Sequence, residues 1–440
     1  MKDVCVGLIG WGTVGSGVVA ILRESQDVIR KRLGGRVWLK WVADKDLERP
    51  RAVDVPKELL TRDASVVLDD PEVDIVVELI GGIEPAKTFI IKALEKGKHV
   101  VTANKALLAH HGNELFALAA RHNRVIAYEA SVAGGIPFIK ILREGLAANR
   151  ITAIMGILNG TCNFILTRMR EAGLSFNDAL SEAQKLGYAE ADPSLDVDGI
   201  DTAHKLAIAS SLAFDMPIAF DRIFVEGIRT VDPLDIQYGE EFGYQLKLLA
   251  IAKRVAGEGV ELRVHPTFVP SGHVLASVRG AYNAVFVNGD AVGDTMFYGL
   301  GAGMMPTGSA VVADIMDISR SLIRETEPLV EKRGNGETAD RRSDVTIIPM
   351  EEVVSSYYFR FSAVDRPGVL SKISGILGKH NISISAVIQK GRSSATPDDP
   401  VPIVMLTHEA KERAVREAIK EIDQLDVVKA PTQLIRIENL

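Results

Sequence analysis

The sequence predicts an α/β protein of three parts, and three observations lead to that prediction. Residues 1–130 alternate strand-like and helix-like segments, as in a parallel sheet with helices on both faces. Residues 131–330 combine amphipathic helices with strand-like segments, which indicates a mixed α+β domain. Residues 353–440 follow the order βαββαβ, which is a ferredoxin-like plan.

Composition limits the classes of function. The chain has 440 residues, is 47% hydrophobic and carries a net charge of -7. It therefore lacks the general basic field that attracts nucleic acid. Two separated cysteines, Cys5 and Cys162, form neither a disulfide framework nor a metal knuckle, which favours a reducing compartment. Because no apolar run reaches about 18 residues, we expect a cytoplasmic protein with no membrane partner.

The first part reads as a Rossmann-type dinucleotide-binding domain. An apolar strand is followed by the turn Gly10-Trp11-Gly12-Thr13-Val14-Gly15 and then by a helix-period pattern. In this setting the first glycine permits the tight turn, the second lets a pyrophosphate approach, and the third lets helix meet strand. Further strands are predicted at 73–80, 98–104 and 123–130, and a later helix near 306–323 is expected to pack back on this domain. A purely structural glycine turn is the alternative.

The second predicted strand, "RVWLKWVAD", ends at Asp44. An acid at this position suggests NAD, because it can accept the ribose hydroxyls. Lys45, Arg49 and Arg51 follow closely and could hold a 2'-phosphate. The sequence therefore favours NADP and leaves NAD possible, with a solvated loop as the alternative.

In the second part, strands are predicted within 261–270, 278–289 and 294–303, after a strand and turn in "RITAIMGILNGTCNFIL". The stretch 331–345 is polar and glycine-bearing, which is typical of a linker, and the linker is predicted over 331–352. A linker there predicts that the last domain, 353–440, can be removed while the active-site residues remain intact.

The stretch "YAEADPSLDVDGIDTAHKLAI" places five carboxylates before Lys205. A calcium loop starting at Asp196 fails, because position 12 is Ala207. A helix start with Asp198 as its N-cap explains part of the pattern. Asp201 and Lys205 are four residues apart on one helix face, so a substrate there would meet both a carboxylate and an ammonium group.

A lysine can supply the proton that an aldehyde oxygen needs when the carbon receives hydride. Lys205 fits this role. Lys105 follows the strand 98–104, and the carboxyl ends of parallel strands line the ligand crevice. An ordinary surface lysine is the alternative for Lys105.

Five motifs carry a family resemblance: "GWGTVGSGV", "TANKALLA", "YEASVAGGIP", "ILNGTCNFIL" and "GYAEADPSLDVDGIDTAHKL". The chain resembles homoserine dehydrogenase with a C-terminal ACT domain, over essentially its whole length. The resemblance implies interconversion of L-homoserine and L-aspartate 4-semialdehyde, in threonine, methionine and isoleucine biosynthesis. It also implies that the second domain serves catalysis and dimerisation.

The resemblance implies roles for individual residues. Lys205 matches the proton donor, and Lys105 matches a lysine that contacts cofactor and substrate. Gly303 of "YGLGAGMMPTG" matches a cofactor-contacting loop. Substrate contacts are implied for Glu190, Asp196, Asp201 and the turn Asn159, Gly160 and Thr161. A monovalent cation, sodium, is implied at Glu129, Val132, Gly134 and Ile136.

The last domain resembles an ACT module, which binds amino acids between copies. Its implied effector residues are Asp365, Pro367, Gly368 and Asn381, and the implied effector is L-threonine. A purely assembling module is the alternative, and a homo-oligomer, dimer or tetramer, is expected. Two competing functions stay open: another ACT-bearing dehydrogenase and a catalytically silent amino-acid sensor.

Overall fold

The structure, a computed structural model, describes residues 3–439 apart from 256, 258, 327–344 and 391–398. The chain divides into two compact units. The first contains Met1–Gly160, Asp201–Ile223 and Ala281–Val345. The second contains Thr161–Ile200, Phe224–Gly280 and Thr346–Leu440. None of the described helices has the length and apolar composition needed to cross a bilayer.

The N-terminal elements alternate as the sequence predicts. They are β1 Val4–Ile9, α1 Thr13–Glu24, α2 Gln26–Leu33, β2 Val37–Ala43, β3 Leu60–Thr61, α3 Ala64–Asp69, β4 Ile75–Glu78, α4 Ala86–Glu95, β5 His99–Thr102, α5 Lys105–Arg121 and β6 Ile126–Ala127. Their strands form a six-stranded parallel sheet in the order β3-β2-β1-β4-β5-β6. The buried apolar strands β1, β4 and β5 explain the parallel arrangement, because helices cover both faces of such sheets.

The middle elements are α6 Phe138–Lys140, β7 Ile151–Ile157, α7 Gly160–Ala172, α8 Phe176–Lys185, α9 Ser194–Val197, α10 Ile200–Ala213, β8 Phe224–Val225, α11 Pro233–Glu241, β9 Tyr244–Val255, β10 Gly259–Pro270, β11 Tyr282–Gly289, β12 Gly293–Leu300 and α12 Met304–Arg324. The first unit holds the antiparallel strands β7, β11 and β12. The second holds the long β9–β10 hairpin, whose first strand the sequence did not reveal.

Helix α12 packs against α1 of the nucleotide-binding part. A Cβ atom on Gly17 would lie 2.0 Å from the carbonyl oxygen of Met304, so this approach requires glycine. Val311, Ile315 and Ile318 of α12 join the same buried core as the residues of β1.

The C-terminal elements are β13 Val354–Val364, α13 Val369–Lys379, β14 Ile384–Gln389, β15 Pro400–Thr407, β16 Ala410–Lys411, α14 Glu412–Ile422 and β17 Val428–Ile437. The antiparallel order β17-β13-β15-β14 confirms the ferredoxin-like plan.

The ACT-like module forms backbone hydrogen bonds with the β9–β10 hairpin. Strand β17 pairs in parallel with β10 through Thr267–Arg436 and Phe268–Ile437. Of the predicted linker, 331–344 lie outside the described residues. Thr346 and Ile348 hydrogen-bond to Val260 at the start of β10. The hairpin therefore continues the sheet of the module.

Candidate active site

The glycine turn between β1 and α1 has the geometry that its motif predicts. Gly10 has φ +105°, and a Cβ atom there would lie 2.7 Å from the backbone of Leu79. A Cβ atom on Gly15 would lie 2.2 Å from the carbonyl oxygen of Gly10, so helix and turn meet closely. Gly12 has open space where its side chain would be. The turn can therefore receive a bulky group at the N-terminus of α1.

A cavity of about 730 Å³ opens at the carboxyl edge of the parallel sheet. Gly10, Gly12, Lys45, Arg49 and Arg51 line it, together with residues of the loop after β4. The cavity matches the ligand crevice of an open α/β sheet. Its glycines and cations fit a dinucleotide.

Six of the predicted cofactor residues are not among those that line the cavity: Trp11, Thr13, Val14, Gly15, Lys105 and Gly303. Trp11 is buried, and its backbone N–H donates to Asp44 at 2.7 Å. Thr13 is exposed and Val14 half-buried in the first turn of α1. The sequence missed Arg62 and Lys92, which also line the cavity, because no local motif marks them.

The cationic cluster after β2 divides into two kinds of residue. The Arg51 guanidinium lies 3.2 Å from the Asp44 carboxylate and stacks over the ring of Trp11 at 5.4 Å. Lys45 and Arg49 are exposed and form no ion pair with any residue that the structure describes. Arg51 therefore neutralises the acid that would favour NAD, whereas the other two charges remain available to a ligand.

Lys105 begins α5 at the carboxyl end of β5. The Asn104 side chain caps this helix by accepting a hydrogen bond from Leu107 N–H and donates to the Gly82 carbonyl at 2.7 Å. The buried Glu78 carboxylate accepts the hydroxyl of Thr102 and the N–H of Ile80, bracing both loops. The lysine is thus presented from a braced helix start at the carboxyl end of β5.

Asp201 and Lys205 meet as the spacing predicts, in the first turns of α10. Lys205 Nζ lies 2.7 Å from Asp201 Oδ2 and 2.5 Å from the Leu158 carbonyl oxygen. Lys105 Nζ lies 3.2 Å from the other oxygen of Asp201, and Asn159 donates to Oδ2 at 2.9 Å. One buried carboxylate therefore holds two lysines from helices distant in sequence.

Burial alone would raise the pKa of Asp201. The ammonium groups of Lys205 and Lys105 outweigh that effect and hold the pKa of Asp201 well below its usual range. The carboxylate thus stays ionised and keeps both ammonium groups in place at neutral pH.

The other predicted substrate residues divide between the units. Gly160 and Thr161 are the first residues of α7, not members of a free turn. Glu190 is exposed beyond α8, and Asp196 lies in the short α9; both belong to the second unit. Asp198 is not at the N-cap position, because α10 begins two residues later at Ile200, and its carboxylate pairs with Arg229.

The predicted cation segment is a buried turn of the first unit. Glu129, Val132 and Ile136 are almost fully buried. Ala133 and Gly134 both have positive φ, and a Cβ atom on Gly134 would lie 2.1 Å from the Gly301 carbonyl oxygen. Among the described residues no cluster of three or more His, Cys, Asp or Glu could hold a metal. A cation here would therefore take most of its ligands from backbone oxygens, with Glu129 as the one carboxylate of residues 129–136.

Gly303 immediately precedes α12 and has φ +127°, a conformation that favours glycine. The sequence missed Asn283 of β11, which donates to the Leu158 carbonyl at 3.0 Å. No motif marks it, because its role depends on strands brought together only by folding.

The effector residues occupy two ends of α13. Asp365, Pro367 and Gly368 precede the helix, and Asp365 accepts a hydrogen bond from Gln389. Asn381, with φ +56°, follows its other end. An 11-residue helix spans about 16 Å at 1.5 Å per residue. The two groups therefore do not form one small-molecule site within a single module.

Three family models match successive parts of the chain. The model described as "Homoserine dehydrogenase, NAD binding domain" matches residues 10–129. The model described as "Homoserine dehydrogenase" matches residues 137–316. The model described as "ACT domain" matches residues 357–426.

Relatives match over the full length. The chain is 49% identical over 440 residues to a homoserine dehydrogenase of Neisseria gonorrhoeae, with 100% of each chain covered. It is 47% identical to one of Pseudomonas aeruginosa, again with 100% of each covered. A crystal structure of a homoserine dehydrogenase from Thiobacillus denitrificans has a TM-score of 0.93 and 48% identity, covering 100% of this chain and 99% of that one. A hyperthermophilic archaeal homoserine dehydrogenase in complex with NADPH has a TM-score of 0.62 and 28% identity, covering 73% of this chain and 98% of that one.

Proposed function

The chain belongs to the homoserine dehydrogenase family of NAD(P)-dependent oxidoreductases acting on CH–OH, and from that premise we propose how its residues reduce L-aspartate 4-semialdehyde to L-homoserine. The observation that carries the proposal is the Lys105–Asp201–Lys205 arrangement. It presents two ammonium groups beside one ionised carboxylate.

Lys205 is the proton donor in this proposal. The bound nicotinamide supplies or accepts the hydride. As hydride reaches the aldehyde carbon, the carbonyl electron pair moves to oxygen, and Lys205 Nζ gives that oxygen a proton. The resulting neutral amine regains a proton from water. In the oxidation direction, Lys205 removes the hydroxyl proton.

Asp201 and Lys105 orient this step. Both oxygens of Asp201 are engaged with lysines and with Asn159, so Asp201 positions the ammonium groups. Lys105 is less buried and begins α5 at the carboxyl end of β5, the side of a parallel sheet on which ligands bind, so we assign it contacts with both ligands. Glu190 and Asp196 supply negative charge for the substrate ammonium group, as the family resemblance implies. A substrate that carries an ammonium group distinguishes this function from that of dehydrogenases whose oxo acid substrates lack one. The two lysines argue against a silent sensor.

We propose NADPH as the preferred cofactor, held by Lys45 and Arg49. Replacing both with Gln should raise the KM for NADPH about tenfold or more and change the KM for NADH less than about twofold, because only NADPH carries the 2'-phosphate. The measurement is initial rate against each cofactor concentration.

A matched control is Lys31→Gln with Arg32→Gln, which removes the same charge from the exposed face of α2. It should leave both KM values unchanged. Arg51→Gln should weaken both cofactors, because Arg51 supports Trp11 and Asp44. Equal losses for the two cofactors in the Lys45 and Arg49 variant would contradict the assignment.

We also propose a monovalent cation, sodium, at Glu129, Val132, Gly134 and Ile136. Burial raises the pKa of Glu129 to about 7, although the N–H groups of Ile139 and Lys140 oppose this. A cation beside Glu129 would stabilise its ionised form. The site is tested by comparing the melting temperature of the protein in a sodium salt with its melting temperature in the salt of a bulky organic cation.

We propose a homo-oligomer, a dimer or tetramer, that uses the exposed edge strand β12. Tyr298 and Leu300 are 55% and 46% exposed, and Tyr298 stacks on Tyr282 with ring centres 4.9 Å apart. Apolar groups on an open sheet edge favour pairing with a second copy. Light scattering of the purified chain measures the assembly.

We propose L-threonine as the effector of the ACT domain, bound between copies. Within the second unit, Arg436 of β17 lies 3.2 Å from Glu226, and Ile228 donates to the Val197 carbonyl in α9. A change at the ACT domain can therefore reach the acidic segment before α10. By linkage, substrate must oppose threonine binding as strongly as threonine opposes substrate binding.

If this route operates, Glu226→Gln should raise the threonine concentration for half-inhibition about fivefold or more, within the usual range of allosteric coupling. Activity without threonine measures the basal state of each variant. Glu352→Gln is the control, because it removes ion pairs with Lys411 and Arg413 on the ACT surface. No inhibition of the parent chain, or equal inhibition of the Glu226 variant, would refute this regulation.

A further inference from the structure

Asn283 contacts the carbonyl group that holds the proposed proton donor. Its side chain is fully buried in β11, and its Nδ2 donates to the Leu158 carbonyl oxygen at 3.0 Å. The same oxygen accepts the hydrogen bond from Lys205 Nζ at 2.5 Å. One backbone carbonyl thus receives two donors, from a strand and from a helix.

The amide of Asn283 has one defined orientation. The opposite orientation would place its oxygen against the Leu158 carbonyl oxygen, which is repulsive. A Cβ atom on Gly301 would lie 2.1 Å from the Asn283 Cγ, so the backbone of the glycine-rich loop closes on the amide. The side chain is therefore held between this loop and Leu158.

The second polar atom of Asn283 argues against a role in stability alone. Its Oδ1 is buried and has no hydrogen-bond partner among the described residues. An unsatisfied buried acceptor is unfavourable, and an apolar side chain of similar size would avoid it. The hydrogen bond donated by Nδ2 offsets this cost. Among the described residues its only acceptor is the Leu158 carbonyl oxygen, which also accepts a hydrogen bond from Lys205.

We propose that Asn283 is a positioning residue for the reaction: it fixes the Leu158 carbonyl, which in turn fixes Lys205 Nζ for proton transfer. The proposal rests on the role of Lys205 given above. Asn283 is not among the residues that line the cofactor cavity, so we assign it no direct contact with the cofactor. Its contribution passes through Lys205, so it disappears when Lys205 is absent.

The test replaces Asn283 with Leu, alone and together with Lys205→Met, in the full chain. Asn283→Leu should lower kcat about tenfold, which corresponds to about 1.4 kcal/mol. The KM for aspartate semialdehyde and the Kd for NADPH should change less than about twofold. The melting temperature should stay equal or rise. Asn283→Val gives a second apolar variant if Leu packs poorly against Gly301.

In the Lys205→Met background, Asn283→Leu should cause no further loss, because the two residues act in series. A normal kcat for both Asn283 variants would overturn the inference. So would an undiminished tenfold loss in the double variant, or a kcat loss that follows a lowered melting temperature. Normal turnover of Lys205→Met alone would instead refute the proton-donor assignment, so the two failures are distinguishable.

Discussion

Lys205→Met should lower turnover by about 100-fold or more while the Kd for NADPH changes little. General acid catalysis by a positioned group contributes about 100- to 10,000-fold, and methionine keeps the stem but cannot give a proton. Asp201 keeps Lys105 as a partner, so the substitution leaves no unpaired buried charge. Steady-state kinetics with aspartate semialdehyde and cofactor titration by fluorescence measure the two quantities.

Lys98→Met is the matched control for this experiment. Lys98 is also buried and also donates to two carbonyl oxygens, those of Asp70 and Val73. Lys98 lies at the amino end of β5, whereas Lys105 follows the carboxyl end of the same strand. The control should lose stability and keep turnover. Equal turnover losses in the two variants would show that burial of a lysine, and not proton donation, explains the effect.

A chain ended at Val345 should fail to give a stable enzyme, contrary to what a linker at 331–352 predicts. Truncation removes β13–β17, including three partners of buried residues in the remaining chain. Asp235 loses Arg360 and Tyr358, and Arg263 loses Glu438. Breaking one buried ion pair costs about 3–5 kcal/mol, against a typical total stability of about 5–15 kcal/mol.

The measurement is solubility and melting temperature of the truncated chain beside the full chain. Adding Asp235→Asn and Arg263→Met to the truncated chain removes the unpaired charges and should recover part of the stability. A truncated chain that melts at the same temperature and keeps full activity would show that the ACT module is an independent domain. If the double substitution does not raise the melting temperature of the truncated chain, the lost stability is assigned instead to the edge of β10 that truncation exposes.

The sequence by itself determined the features that depend on local spacing. The glycine turn, the alternation of β and α, and the βαββαβ order are set by backbone requirements within short segments, and each is found in the structure. The Asp201–Lys205 pair also follows from spacing, because residues four apart share a helix face. The family motifs gave the reaction for the same reason: they are short and contiguous.

Only the tertiary structure decided which distant groups meet. Lys105 contacts Asp201 because folding places the start of α5, after β5, beside the first turn of α10. No local sequence pattern predicts this contact. Leu158 acts through its carbonyl oxygen, and backbone atoms leave no signature in the residue type. No sequence motif marks Asn283, because its hydrogen bond to Leu158 forms only when folding places β11 beside that residue. The pairing of β17 with β10 likewise depends on long-range strand contacts, so the module that the sequence predicts to follow a linker shares a sheet with the β9–β10 hairpin.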